Sequence, residues 1–192
     1  MEIKSADKLT DLKWLNMFDV DYVDQDGGHR SWQLASRSRR PKCITGKFNV
    51  PDAVVIVPFH TAEKKIVTIK EYRVPLADYE YGFPAGLIDP GETIEQTARR
   101  ELQEETGLKI IRFLKISAPV YSSAGMTDES VAMVYVECDG QPSTTGNQDS
   151  ELIEVRLVTR TQALQMCENP ALKLDVKAWL VLTGFSEKGI IE

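Results

Sequence analysis

The chain has 192 residues and 42% hydrophobic content, enough to bury one domain core plus a small appendage and too little for two large domains. Acids outnumber bases by 29 to 23, and a net charge of −6 argues against a nucleic-acid binder, which needs a basic surface to meet phosphate. Cys43, Cys138 and Cys167 form no CxxC pair, which points to reduced, buried thiols, and neither an apolar leader nor a membrane-length run is seen, so a soluble cytoplasmic protein is expected.

In chain order, residues 1–48 read as a small unit: Trp14 to Val23 alternates loosely, Asp26-Gly27-Gly28 is a hairpin turn, and Arg30 to Ala35 returns as a strand. A hairpin cannot bury its own apolar face. It is expected to pack on the remainder, 49–192, or on a second subunit. The basic run Arg37, Arg39, Arg40, Lys42 is either a solvated loop or a patch that meets an anionic substrate.

Buried strands begin at Ala53-Val-Val-Ile-Val57, followed by a turn at Ala62 to Lys65 and a strand from Ile66 to Glu71. With only His29 and His60 present, a histidine-ligated zinc site is not expected, and both histidines are placed at the surface. Later strands are read at Ile110 to Ile116, Ser130 to Glu137 and Glu151 to Val158, the last after a polar loop from Gln141 to Ser150. Helices are read at Thr161 to Cys167 and from about Pro170 to Thr183, where Leu172, Val176, Trp179 and Leu180 recur at helical spacing and are assigned to the core.

The segment Gly86 to Leu108, GLIDPGETIEQTARRELQEETGL, carries the chemistry. Asp89-Pro90-Gly91 is a turn: Pro fixes φ, Gly supplies positive φ, and Asp is suited to an Asx closure. Thr93 and Gln96 form a capping box and Gly107 a C-terminal stop, so the helix runs from Ile94 to Thr106. At about 100° per residue from Ile94, Ala98 and Leu102 fall near ~40° and ~80°, while Glu101 and Glu105 fall near ~−20° and ~20°. Two carboxylates thus share the core-facing stripe, with Glu104 beside them near ~−80°. Such repulsion persists where something positive compensates it, and three carboxylates on one helix face suit Mg²⁺ or Mn²⁺, hard ions that share their shell with phosphates. An acid-rich helix taken alone is more often a solvated face.

The full spacing changes that balance. Gly86, Glu92, Arg100-Glu101-Leu102, Glu104-Glu105 and Gly107-Leu108 match every specified position of the Nudix box, G-x5-E-x7-R-E-U-x-E-E-x-G-U with U aliphatic. The chain therefore resembles the Nudix hydrolases, and the resemblance implies an α/β fold, the Nudix α/β/α sandwich, here with a small N-terminal β-hairpin extension. Within that family it resembles the branch acting on ADP-ribose and nucleotide sugars. Pro84-Ala85-Gly86 is similar to its PAG signature, Lys70-Glu71-Tyr72-Arg73-Val74-Pro75 to its Q-Y-R-x-P segment, and Tyr121 to Glu129 to its S-P-G-x-T/S-D-E loop. The extension resembles the amino-terminal unit through which that branch dimerises. Two positions depart: Gly82 stands where the branch commonly has Glu, with Glu80 two residues earlier, and Ala124 replaces the Pro of S-P-G. Sugar nucleotides such as GDP-mannose therefore stay open beside ADP-ribose.

The resemblance also implies roles. The carbonyl of Ala85 and the carboxylates of Glu101 and Glu105 are the expected metal ligands, with Glu104 in or behind that set and Arg100 orienting the acids by ion pairing. Gly86, Glu92 and Gly107 shape the box, although Glu92 reads equally as a solvated turn acid. Glu151 and Asp149 are the candidate general bases and Glu129 a substitute at the substrate loop. Arg73 is the expected clamp on pyrophosphate or the terminal ribose, since its forked guanidinium matches phosphate oxygens. Trp32 is a candidate for stacking on the base or for simple packing. The implied activity is metal-dependent pyrophosphate hydrolysis of nucleoside diphosphate sugars by a homodimer without nucleic-acid or membrane partners. The alternatives are a Nudix enzyme for nucleoside triphosphates or dinucleoside polyphosphates, and a non-catalytic ligand sensor. A sensor would need a broken acidic array or an added DNA-binding helix pair, and neither is seen.

Overall fold

The computed structural model describes residues 1–145 and 152–191. In chain order its elements are β1 (Glu2–Lys8), β2 (Asn16–Val23), β3 (His29–Ser36), α1 (Lys42–Thr45), β4 (Ala53–His60), β5 (Lys65–Arg73), β6 (Asp78–Gly82) and β7 (Ala85–Leu87). After these come α2 (Ile94–Thr106), β8 (Lys109–Ile116), β9 (Val120–Tyr121), β10 (Ser130–Asp139), β11 (Ile153–Val158), α3 (Arg160–Glu168), β12 (Lys173–Leu174) and α4 (Val176–Lys188). They form two compact units: Met1–Asp52 with Pro119–Val131, and Ala53–Ala118 with Ala132–Glu192.

In the first unit the expected hairpin gains a third strand. β2 pairs antiparallel with β3 in unbroken register from Asn16↔Ser36 to Val23↔His29, and β1 adds to the other edge of β2. The turn is tied by Asp24, whose carboxylate accepts from the N–H groups of Asp26 and Gly28, with Gly27 at φ 82°. β1 was invisible to apolar alternation because nearly all of its side chains remain exposed or half-exposed. Phe18 is buried, whereas Trp14 and Trp32 are more than half exposed. The basic run also divides: Lys42 is buried, its ammonium held by Asp52 at 2.6 Å, the Ser130 hydroxyl at 2.7 Å and the Val50 carbonyl at 3.1 Å.

The second unit is built on a mixed sheet with the neighbour order β12-β6-β5-β4-β10-β8. β11 pairs with β5 beside this path, and β7 pairs with the first half of β4 through Ala53↔Leu87, Val54↔Gly86 and Val55↔Ala85. The core lies between the sheet and α2, where Ala98 and Leu102 pack with Val54, Ile56, Val67, Leu108, Val134 and Val136. Both strand faces of β4 are buried, which explains its continuous apolar run. Among the described residues no helix is long and apolar enough to cross a membrane.

Four expectations fail, three in this unit and one, on the cysteines, across both. The last helix begins at Val176 rather than near Pro170, because Lys173–Leu174 are drawn into a parallel pairing with β6 and the Asp175 carboxylate caps the N–H groups of Lys177 and Ala178. Its buried side chains are therefore Ala178, Leu182 and Phe185, while Val176, Trp179 and Leu180 face outward. His60 is buried: its Nε2 lies 2.9 Å from the Gly140 carbonyl, and its Nδ1 accepts from the Glu63 N–H at 3.3 Å, so the imidazole joins two strand ends. Of the cysteines, only Cys138 is fully buried, which pushes its thiol up to about 12, whereas Cys43 and Cys167 are partly exposed; all three are free.

Candidate active site

The box is organised around α2. Its start shows both halves of the capping box, the Thr93 hydroxyl accepting from Gln96 N–H and the Gln96 side chain accepting from Thr93 N–H. Its end is sealed by Gly107 at φ 72°, whose N–H donates to Gln103 O. The preceding turn is closed by the Glu92 N–H donating to the Asp89 carbonyl at 3.0 Å, with Gly91 at φ 91°; the main chain makes the closure assigned to the Asp side chain.

With the helix so placed, Glu105 and Glu101 point at β7. Glu105 is only 7% exposed, and its carboxylate accepts from the Ala85 N–H at 3.1 Å. Glu101 lies against Gly86 so closely that a Cβ there would be 1.8 Å from its Oε1. Position 86 must therefore be glycine for contact rather than for φ.

Arg100 is the cation that the described residues place among these acids. Its Nε and Nη2 donate to the two oxygens of Glu92 at 3.0 and 2.9 Å, its Nη1 to Glu101 at 2.6 Å and Glu104 at 3.3 Å, and its Nη2 to the Leu87 carbonyl at 3.2 Å. The Arg100 hydrogen bonds, with a further one from the Thr97 hydroxyl, hold the Glu92 carboxyl down at about 2, and the guanidinium is held well above its usual range. Glu92 is thus a strut that ties the turn to the helix. Thr97, buried and donating to Glu92 at 2.8 Å, escaped the sequence reading; its place one turn beyond Thr93 on the helix was the available signal.

The three helix carboxylates have unequal surroundings. Among the described residues no group of three or more acidic, histidine or cysteine side chains stands at metal-ligating separations. Glu101 and Glu105 face β7, and Glu104 turns toward Arg100 with its side chain 47% exposed. Arg100 accounts for this: its Nη1 holds Glu101 at 2.6 Å and Glu104 at 3.3 Å and draws both toward itself. The donor set still fits a divalent hard cation. It offers the carboxylates of Glu101 and Glu105 beside the Ala85-Gly86 backbone, all oxygen donors, with the Arg100 guanidinium against Glu92, Glu101, Glu104 and Asp89.

Arg73, at the end of β5, bridges Glu71 at 2.9 Å and Glu80 at 3.3 Å, acids directly opposite each other in the β5–β6 ladder. The described chain resumes beside it: the Tyr72 N–H donates to Leu152 O at 3.2 Å, and Ile153 pairs with Glu71. Asp149 and Glu151 lie outside the described residues. The remaining candidates fall in the first unit. There the Trp32 indole donates to Gly125 O at 3.2 Å, and Glu129 is ion-paired with Arg37 at 2.6 Å. The adjacent Asp128 accepts from the Ser36 hydroxyl and the Lys42 N–H, fixing the loop to β3 and α1.

The NUDIX domain model matches residues 50–180. The chain is 32% identical over 164 residues to a putative nudix hydrolase 2 of Caenorhabditis elegans, covering 82% of this chain and 71% of that one. It is 29% identical to an ADP-ribose pyrophosphatase of Saccharomyces cerevisiae, over 96% and 82% of the two chains, and 30% identical to an ADP-sugar pyrophosphatase of Mus musculus, over 92% and 84%. A solved structure described as an ADP compounds hydrolase superposes with a TM-score of 0.71 at 22% identity, covering 97% of this chain and 94% of its own, a likeness of fold. Because the domain match spans most of the chain and includes the whole Glu-Arg array around α2, the protein belongs to the Nudix hydrolase family.

Proposed function

We propose that this protein hydrolyses the pyrophosphate bond of ADP-ribose or a related nucleoside diphosphate sugar, giving a nucleoside monophosphate and a sugar phosphate. The observation that carries this reading is the pair Glu101 and Glu105 set against the Ala85-Gly86 strand, with Arg100 donating to Glu101. Relatives named as ADP-ribose and ADP-sugar pyrophosphatases, aligned over nearly the whole chain, support the substrate class.

Glu101, Glu105 and the Ala85 carbonyl would hold Mg²⁺ or Mn²⁺, with Glu104 completing or supporting the set. Such an ion supplies Lewis acidity toward water and the pyrophosphate oxygens. Arg100 keeps the carboxylates apart and oriented, and Glu92 anchors Arg100 to the turn. Arg73 clamps the pyrophosphate or terminal ribose through guanidinium N–H groups beyond those given to Glu71 and Glu80, since the fork carries five donors. Within the first unit, Trp32 offers a half-exposed indole for stacking on a nucleobase, and Glu129 is ion-paired with Arg37. Glu151 or Asp149 takes the proton from the attacking water, a contribution of about 10²- to 10⁴-fold.

The test is a panel of ADP-ribose, GDP-mannose and other sugar nucleotides, dinucleoside polyphosphates and nucleoside triphosphates, assayed with Mg²⁺. A sugar nucleotide is expected to have the highest kcat/KM. Triphosphates turned over at least ~10-fold better, more than 1.4 kcal/mol of preference, would overturn the substrate class while leaving the family standing.

A further inference from the structure

In the first unit, Ser38, Arg39, Arg40, Thr45 and Lys47 line a cavity of about 370 Å³ around the Lys42–Asp52 pair. Lys42 and Asp52 neutralise each other at 2.6 Å, which leaves Arg39, Arg40 and Lys47 as the uncompensated charges. Among the described residues none of these three side chains has a hydrogen-bond or ion-pair partner, in a chain with six more acids than bases. Arg39 and Arg40 also line a second cavity, of about 270 Å³, shared with Lys4 and Ser5.

The scaffold beneath these cations is fixed. The Lys42 ammonium has three acceptors, its N–H donates to Asp128 at 2.7 Å, and Gly46, at φ 68°, closes α1 by donating to Lys42 O at 2.8 Å. Like charges on a pliant loop would splay into water. Here the ends of the segment are pinned, so two guanidiniums and an ammonium stay around one concavity, with hydroxyls from Ser38 and Thr45 on its wall. Two forked donors with an added point charge match the oxygens of a phosphate dianion, and the volume leaves room for an organic substituent.

We propose that this cavity is a binding site for small phosphate monoesters, with Arg39, Arg40 and Lys47 as the phosphate ligands. The experiment is isothermal titration calorimetry of the full-length, metal-free protein with inorganic phosphate, adenosine monophosphate and ribose 5-phosphate in turn. The three arms separate recognition of phosphate alone from recognition of a base or sugar attached to it. Saturable binding of at least one probe is expected with Kd below about 1 mM. Kd should rise at least ~10-fold in R39A/R40A, and by about three- to tenfold in K47A, as charge-assisted hydrogen bonds are lost. All three side chains are exposed, so the variants should fold, and circular dichroism checks that they do. No saturable binding of any probe, or the wild-type Kd in both variants, would overturn the site. Because no turnover is measured and no divalent ion is present, this result is separable from that of the hydrolysis reading.

Discussion

Glu101 and Gly86 meet at a separation that excludes any side chain at position 86: a Cβ would sit 1.8 Å from the Glu101 Oε1 and 2.0 Å from its carboxyl carbon. Gly86→Ala must therefore move Glu101 or the strand. We expect kcat to fall by more than about 100-fold, as misplacement by an ångström suffices for that. Destabilisation should stay at roughly 1–3 kcal/mol, typical of overpacking. Chemical denaturation and steady-state kinetics on the same preparation check both; near-wild-type kcat would mean that Glu101 does not act from this position.

Glu105→Gln keeps the shape of the side chain and an oxygen able to accept from Ala85 N–H, but removes the charge. Turnover should drop by more than about 100-fold, beyond the 10- to 100-fold cost of altering a ligand's supporting partner. The melting temperature of the metal-free protein should hold or rise, because a buried like charge is relieved. Turnover within threefold of wild type at saturating Mg²⁺ would remove Glu105 from the ligand set.

The depressed Glu92 carboxyl makes a pH signature. Its folded value of about 2 lies below the ordinary 4.5, so its ion pair with Arg100 stabilises the fold above pH 4.5 and is lost as pH falls toward 2. The melting temperatures of wild type and Glu92→Gln should differ by a constant amount at neutral pH and converge between pH 4.5 and 2. A difference that does not shrink over that range contradicts the strut.

Arg73→Ala should mainly raise KM, by about tenfold or more, because a clamp held in ground and transition states alike contributes uniform binding. It also leaves Glu71 and Glu80 facing each other without the guanidinium, so a small loss of thermal stability should accompany it. A fall in kcat with KM unchanged would assign Arg73 to the transition state instead.

The first unit leaves Leu9, Leu12, Trp14 and Trp32 each more than half exposed, a large apolar area for a small antiparallel sheet. We propose that residues 1–48 form a homodimer contact. Analytical ultracentrifugation at tens of micromolar should show a dimer that Trp14→Glu dissociates. A wild-type monomer at that concentration refutes it.

Features that depend on neighbours in the chain were readable directly. The limits of α2, Ile94 and Thr106, follow from a capping box and an αL glycine, whose hydrogen bonds close within four residues, and the shared stripe of Ala98, Leu102, Glu101 and Glu105 follows from helical angle alone. Pairings between distant segments were not readable. β1 joins β2 although it carries almost no apolar pattern, Lys173–Leu174 leave the last helix to pair with β6, and His60 finds Gly140 eighty residues away. The same division runs through the site. Spacing alone placed the acids on one helical face; only the tertiary approach of β7 decided that Glu101 and Glu105 press on Ala85 and Gly86 while Arg100 gathers Glu92, Glu101 and Glu104, because carboxylate geometry depends on which backbone and which cation come within about 3 Å.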